Sequence, residues 1–136
     1  MSEIRTVHEI MNRNVSALDS SNTVLDAMRV MTERSVGCVV ITSMSHPVGI
    51  ITERDLMKTM MNGKDVLENK LSEIMSQPLA AVAPDAPVVE ALRLMKDRNI
   101  RRLAVVQDGV LRGIITIHSD LLYWALAPAK DKSQSK

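Results

Sequence analysis

Displaced by 64 positions, the chain falls on itself without a gap. Glu9-Ile10-Met11 lands on Glu73-Ile74-Met75, and Val24, Ala27 and Met31 land on Val88, Ala91 and Met95. Arg29 and Arg34 meet Arg93 and Arg98, and Gly49-Ile50-Ile51-Thr52 meets Gly113-Ile114-Ile115-Thr116. Chance does not produce such a register, so the chain is two copies of one short unit. Residues 1–68 hold the first copy, 69–127 the second, and the polar stretch 128–136 is expected to be a disordered tail. Neither copy alone can bury its apolar faces, so the two are expected to pack about a pseudo-twofold axis.

Each copy reads alike. A short segment with an Ile-Met pair (7–12 and 71–76) suggests one or two helical turns, followed by brief extended stretches at 15–18 and 79–82. Turn and cap residues come next, Asp19-Ser20-Ser21-Asn22 in one copy and Pro84-Asp85-Ala86-Pro87 in the other. The spacing of Val24, Ala27, Met28 and Met31, and of Val88, Ala91, Leu92 and Met95, predicts a helix with one apolar stripe. Two strands follow, 37–42 and 48–52, then 103–106 and 110–116. The continuous run Val39-Val40-Ile41 suggests a sheet covered on both faces. Asp108-Gly109 marks one hairpin turn and Ser45-His46-Pro47 fills that place in the other. Closing helices are expected at 53–62, stopped by Gly63, and at 118–127, stopped by Pro128. The fold class is therefore α/β, two tandem β-α-β-β-α repeats with two small sheets.

Composition narrows the function classes. Seventeen basic and 16 acidic residues give a net charge of +1, and with no Phe, one Trp and one Tyr there are no aromatic platforms for bases. Nucleic acid is not an expected partner. Ten methionines and the aliphatic residues must fill the core. A single cysteine, Cys38, and the absence of an apolar leader or a run of about 20 apolar residues point to a cytoplasmic protein with no membrane partner. No metal spacing links His8, His46 and His118, no glycine-rich phosphate loop is present, and His118-Ser119-Asp120 cannot form a catalytic line from adjacent positions. The chain is not expected to be an enzyme.

The order of elements, with Gly-Ile-Ile-Thr closing each copy's last strand, resembles the CBS domain. Gly49-Ile50-Ile51-Thr52-Glu53-Arg54-Asp55-Leu56 is similar to that family's ribose-phosphate motif, which carries a Thr or Ser and, three residues later, an Asp. The resemblance implies that Thr52 and Asp55 hold the ribose of an adenosine-containing nucleotide. A carboxylate accepts from both ribose hydroxyls, and free helix amides suit phosphate. The same pair also reads as a helix N-cap with a carboxylate in the first turn. Arg54, inside the motif, is a candidate for a phosphate or a dimer contact.

The second copy departs from the pattern. Thr116 matches Thr52, but Ser119 stands in the Asp register and Asp120 is one place late, about 100° round a helix. Either the loop absorbs the extra residue and Asp120 serves, or Ser119 replaces the carboxylate with a weaker contact and the second site is poor or empty. Arg101 and Arg102, just before a core strand, match the family's basic phosphate contact; otherwise they pair with Glu90, Asp97 or Asp108. Val39, Ile41, Leu103 and Val105 are candidates for an apolar slot for the base, with plain core as the alternative for most of them. The resemblance implies no cofactor and a ligand among AMP, ADP, ATP and S-adenosylmethionine, bound in the cleft between the repeats. It implies a homodimer whose change of shape is read by a separate effector protein. The alternative is a ligand-free dimerisation or protein-interaction module using Met57, Met60 and Met61 with Leu56, and Tyr123 and Trp124 with Leu121 and Leu122.

Overall fold

A computed structural model of the protein describes residues 5–117. The expected second closing helix, with Ser119 and Asp120 of the second motif and Leu121 to Trp124, lies outside the described residues, as does 128–136. In chain order the elements are α1 (Val7–Ile10), β1 (Ala17–Asp19), α2 (Val24–Arg34), β2 (Cys38–Ser43), β3 (His46–Thr52) and α3 (Glu53–Met60). A 3-10 turn, η1 (Lys64–Glu68), leads into α4 (Leu71–Ile74), β4 (Ala81–Val82), α5 (Val88–Arg98), β5 (Arg102–Gln107) and β6 (Val110–Thr116). The strands form two three-stranded sheets, β1-β2-β3 and β4-β5-β6, so the fold is the expected α/β arrangement. In the first sheet β1 runs parallel to β2, with Leu18 opposite Ile41, and β2 runs antiparallel to β3, with Val39 opposite Ile51. In the second, β4 runs parallel to β5.

The two long helices obey their stripes. Val24, Ala27 and Met31 are buried on α2, and Val88, Ala91, Leu92 and Met95 on α5. Each helix ends on a left-handed residue that is not glycine, Ser35 and Asn99. Their beginnings differ. Thr23, one residue later than the polar run suggested, caps α2 reciprocally with Asp26, whereas Pro87 starts α5 with no side-chain cap. The first core packs Val24, Ala27 and Met31 of α2 against Val39 and Ile41 of β2, Ile51 of β3, Leu56 of α3 and Leu71 of α4. Val39, Val40 and Ile41 are consecutive and all fully buried, which requires cover on both faces of the sheet.

The first hairpin turn falls at Met44 and Ser45, both with positive φ, and not at Ser45-His46-Pro47. His46 is already paired with Ser43. Strand pairing outweighs the turn preference of Pro47, and a register shift at Ile41/Thr42 absorbs the difference.

The chain divides into two compact units that do not coincide with the sequence repeats. The first unit is Asn14–Ala80 with Gly109–Leu111; the second, among the described residues, is 5–13, 81–108 and 112–117. Each Ile-Met segment thus packs with the copy other than the one it introduces. In the first unit the Val24 amide donates to Asn69 O (2.9 Å), Leu71 to Asn22 O (2.8 Å) and Ser72 to Ser20 O (3.1 Å), while Ile50 and Ser76 exchange bonds of 3.3 and 3.0 Å. In the second, Val88 donates to Arg5 O, Val7 to Ala86 O and His8 to Pro84 O, each at 2.8 Å, while Asn12 and Ile114 exchange bonds of 2.8 and 3.0 Å. Every one of these bonds has its counterpart 64 positions away.

The crossing explains the glycine of each Gly-Ile-Ile-Thr block. A Cβ on Gly49 would stand 2.7 Å from Met75 Sδ and 3.0 Å from Ser76 O. On Gly113 it would stand 2.8 Å from Asn12 O and 2.9 Å from Met11 Sδ. The methionine of each Ile-Met pair therefore lies over the other copy's glycine, and the glycine is needed for close backbone approach.

Candidate functional site

The site residues of the first motif gather at the junction of β3 and α3. Thr52 is the last residue of the strand and the N-cap of the helix. Its amide donates to Asp55 Oδ2 (2.9 Å), its hydroxyl donates to the same oxygen (3.1 Å), and it accepts from the Asp55 amide (3.3 Å). The Glu53 amide donates to Gly37 O (3.1 Å), which ties the start of α3 to the approach of β2. Both contacts from Thr52 fall on Oδ2, and among the described residues Oδ1 of Asp55 has no bond. Thr52 and Asp55 are half-buried and Arg54 is exposed on the same turn.

This geometry is a capping box, and it occurs three times among the described residues. Thr23 and Asp26 repeat it at α2, where the Thr23 amide donates to Asp26 Oδ2 (2.9 Å) and Asp26 donates back to Thr23 Oγ1 (3.3 Å). Thr6 and Glu9 form the same reciprocal pair at α1. The cap alone therefore does not mark a ligand site. What separates the two Asp boxes is the second partner. Asp26 also receives the Asn22 amide (3.1 Å), and backbone bonding from Thr23, then Asn22, holds its carboxyl below the usual range. Asp55 has no such additional partner among the described residues.

In the second unit Thr116 ends β6 and is half-buried, like Thr52. The Ile117 amide donates to Arg101 O (2.8 Å), the counterpart of the Glu53–Gly37 bond. Arg101, exposed, thus stands at the head of its own copy's motif beside Thr116, where the first copy has a glycine. Arg102 is half-buried as the first residue of β5. Among the described residues neither arginine forms an ion pair with Glu90, Asp97 or Asp108; the recorded salt bridge is Arg5–Glu9 at 3.0 Å. The structure thus brings together Thr52, Arg54 and Asp55 in one unit and Arg101 and Thr116 in the other.

Val39, Ile41, Leu103 and Val105 are fully buried core residues and offer no surface for a base. Cys38 is half-buried. Among the described residues no three His, Cys, Asp or Glu side chains are placed to hold a metal ion. No helix of the described residues is long and apolar enough to cross a membrane. Reading by residue type overlooked the glycine–methionine contacts, whose signal was present as an Ile-Met pair and a glycine matched in both copies.

Comparison with known proteins identifies the repeated unit. The family model described as CBS domain matches twice, at residues 7–62 and 71–119. An uncharacterized protein of Methanopyrus kandleri is 41% identical over 119 residues, covering 85% of this chain and 61% of that protein. The mitochondrial CBS domain-containing protein CBSX3 of Arabidopsis thaliana is 32% identical over 128 residues, covering 85% of this chain and 62% of its own. The chain therefore spans about three fifths of the length of these two relatives. Among solved structures, a hexameric CBS-CP12 protein from bloom-forming cyanobacteria superposes with a TM-score of 0.79 at 34% identity, over 88% of this chain and 71% of that one.

Proposed function

This chain belongs to the CBS domain family, and from that membership we propose that it is a regulatory module that senses an adenosine-containing nucleotide in the cytoplasm. It signals through a conformational or dimer change to a separate partner protein. The observation that carries this reading is the Asp55 carboxylate. Thr52 holds it at a strand-to-helix junction by one oxygen, while the other oxygen has no partner among the described residues. A carboxylate has about four acceptor positions, so a capped Asp55 still has room for two ribose hydroxyls. The reading assigns the ribose to Thr52 and Asp55 and phosphate to Arg101 and Arg102, with Arg54 as a further phosphate or dimer contact. Thr116, with Ser119 or Asp120, forms the second motif. A ligand shifts such a module only by binding its two states with different affinity.

A thermal-unfolding screen against AMP, ADP, ATP and S-adenosylmethionine tests the proposal. A ligand at about 100 times its Kd adds about 2.7 kcal/mol, a shift of several degrees. Asp55→Ala is expected to weaken binding by roughly 1.5–3 kcal/mol, the worth of a charge-assisted hydrogen bond. Asp26→Ala removes a chemically equal cap and is expected to leave affinity unchanged. Equal losses in the two variants would reduce Asp55 to a cap.

A second reading, a ligand-free dimerisation module, is favoured by α3 and the residue after it. Met57, Met60 and Met61 are 68%, 38% and 84% exposed, an apolar surface on consecutive turns. The hexameric state of the CBS-CP12 protein supports self-association of this family. No shift with any nucleotide at millimolar concentration, together with a concentration-dependent dimer lost in Met57→Lys, would favour it.

A further inference from the structure

α3 and the residue after it carry three methionines, Met57, Met60 and Met61, at positions i, i+3 and i+4. All three are exposed, Met57 and Met61 by more than half of their surface. Met61 is the C-cap but keeps right-handed helical angles, φ −68° and ψ −15°, and its amide donates to Met57 O (3.2 Å). The three side chains therefore leave one arc of about 100° of the helix, with Met57 between the other two. Lys58 lies outside that arc. A thioether is a soft, polarisable electron donor with no proton to lose. Each sulfur sits on a chain with three rotatable bonds, and the Cβ atoms of Met60 and Met61 stand about 5–6 Å from that of Met57, so the three sulfurs can converge on one point. The last turn of a helix is also its negative end and favours a cation. Along α3 the charges of Glu53 and Asp55 offset those of Arg54 and Lys58, so the helix carries no net charge against one.

The internal repeat separates the sulfur from the apolar character. The residues 64 positions later are Leu121, Trp124 and Ala125. All three are apolar and none holds sulfur. Apolar side chains at these positions are thus common to both copies, whereas the thioethers belong to the first alone. Leucine forms helices as readily as methionine and has about the same volume, so neither the helix nor an apolar contact calls for sulfur here. Met44 is the internal control. It is 87% exposed on the turn between β2 and β3, but no other methionine stands within ten positions of it in the chain.

We infer that Met57, Met60 and Met61 form a site for one soft monovalent cation, Cu(I), held by their three thioether sulfurs. Soft thioether ligands select Cu(I), whereas carboxylates, carbonyls and water suit hard ions such as Mg(II). The inference rests neither on nucleotide sensing nor on self-association. Asp55 supplies no ligand to it, and leucines at the three positions would keep an apolar face while removing the site. Silver nitrate in chloride-free buffer supplies Ag(I), a soft cation of the same class that is stable in air. The whole chain is used with Cys38→Ser, since a thiolate is itself a soft ligand, and with its methionine methyl groups labelled with carbon-13. Saturation at one Ag(I) per chain is expected, with the methyl signals of Met57, Met60 and Met61 moving together and that of Met44 staying in place. Cu(I) with ascorbate under argon is expected to move the same three signals, and Mg(II) none of them. Met57→Leu, Met60→Leu and Met61→Leu conserve volume, so the fold should tolerate each. A partner behind a metal ligand is worth about 10–100-fold in affinity, and a ligand itself should be worth no less. Each single variant is therefore expected to weaken Ag(I) binding about tenfold or more in titration calorimetry, and the triple variant to abolish it. Met44→Leu is expected to change nothing. Absence of saturable Ag(I) binding overturns the inference. So does binding that survives in the triple variant, or that Met44→Leu weakens as much as Met57→Leu does.

Discussion

The two copies share a backbone and differ at its ends. α2 and α5 have the same length, bury matching stripes and stop on a left-handed residue at the same position, Ser35 and Asn99. Yet α2 starts at a Thr23–Asp26 box, and α5 starts at Pro87 with Glu90 in the place of Asp26. The motif after β3 places a carboxylate three residues past its Thr, while Arg101 heads the motif after β6. The lesson is that core positions tolerate little divergence because volume and burial constrain them, whereas caps and rims are worth only about a kilocalorie each and are free to specialise. Where a pair of repeats differs in polar groups over a common apolar frame, function is the place to look for the cause.

The largest test of this comparison concerns the crossing segments. Val7 and Leu71 are fully buried counterparts. Truncating either to Ala should cost about 2–4 kcal/mol. Hydrogen exchange should rise for Val7→Ala in 81–106 and for Leu71→Ala in 17–52. Loosening confined to the copy each segment introduces would break the assignment. Next come Gly49→Ala and Gly113→Ala, each expected to destabilise by about 1–3 kcal/mol because backbone oxygen stands in the way. Rescue of Gly49→Ala by Met75→Ala should be partial, since Ser76 O remains at 3.0 Å. Full rescue would assign the glycine to the methionine alone.

A smaller effect should separate the helix starts. Thr23→Ala removes a side-chain cap and should cost about 0.5–2 kcal/mol. Pro87→Ala removes no side-chain acceptor and should fall below that. The smallest is acid sensitivity. The Asp26 carboxyl lies below its ordinary range because backbone and side-chain donors favour its charged form. A depressed folded value means that its stabilisation is complete above the unfolded value and is lost as pH falls through the folded one. Asp26→Asn should therefore flatten the acid limb of the stability curve, read by circular dichroism. An identical limb in the variant would remove Asp26 from the acid response.

Much of this was legible in the residues. The stripes Val24-Ala27-Met31 and Val88-Ala91-Met95, the doubly covered run Val39-Val40-Ile41 and the pairing of Thr52 with Asp55 follow from local periodicity and spacing. The turn at Met44-Ser45 was not legible, because neither residue prefers positive φ and long-range strand pairing imposes it. Arg101 and Arg102 are one basic pair in the sequence, yet Arg101 is exposed before the strand and Arg102 is half-buried in it. Their separation follows from the start of β5, where side chains alternate between faces.

The sequence by itself determined that there are two copies, which of their residues are apolar, and in what order helices and strands follow one another, since these depend on neighbours a few positions away. Only the tertiary structure decided that residues 5–13 pack with the second copy and 71–76 with the first. Those bonds run between backbone groups, which every residue carries alike, so no side chain announces the partner. The glycine facing each Ile-Met pair is a mark the choice leaves on the sequence, and it is readable only once the chain is seen to cross.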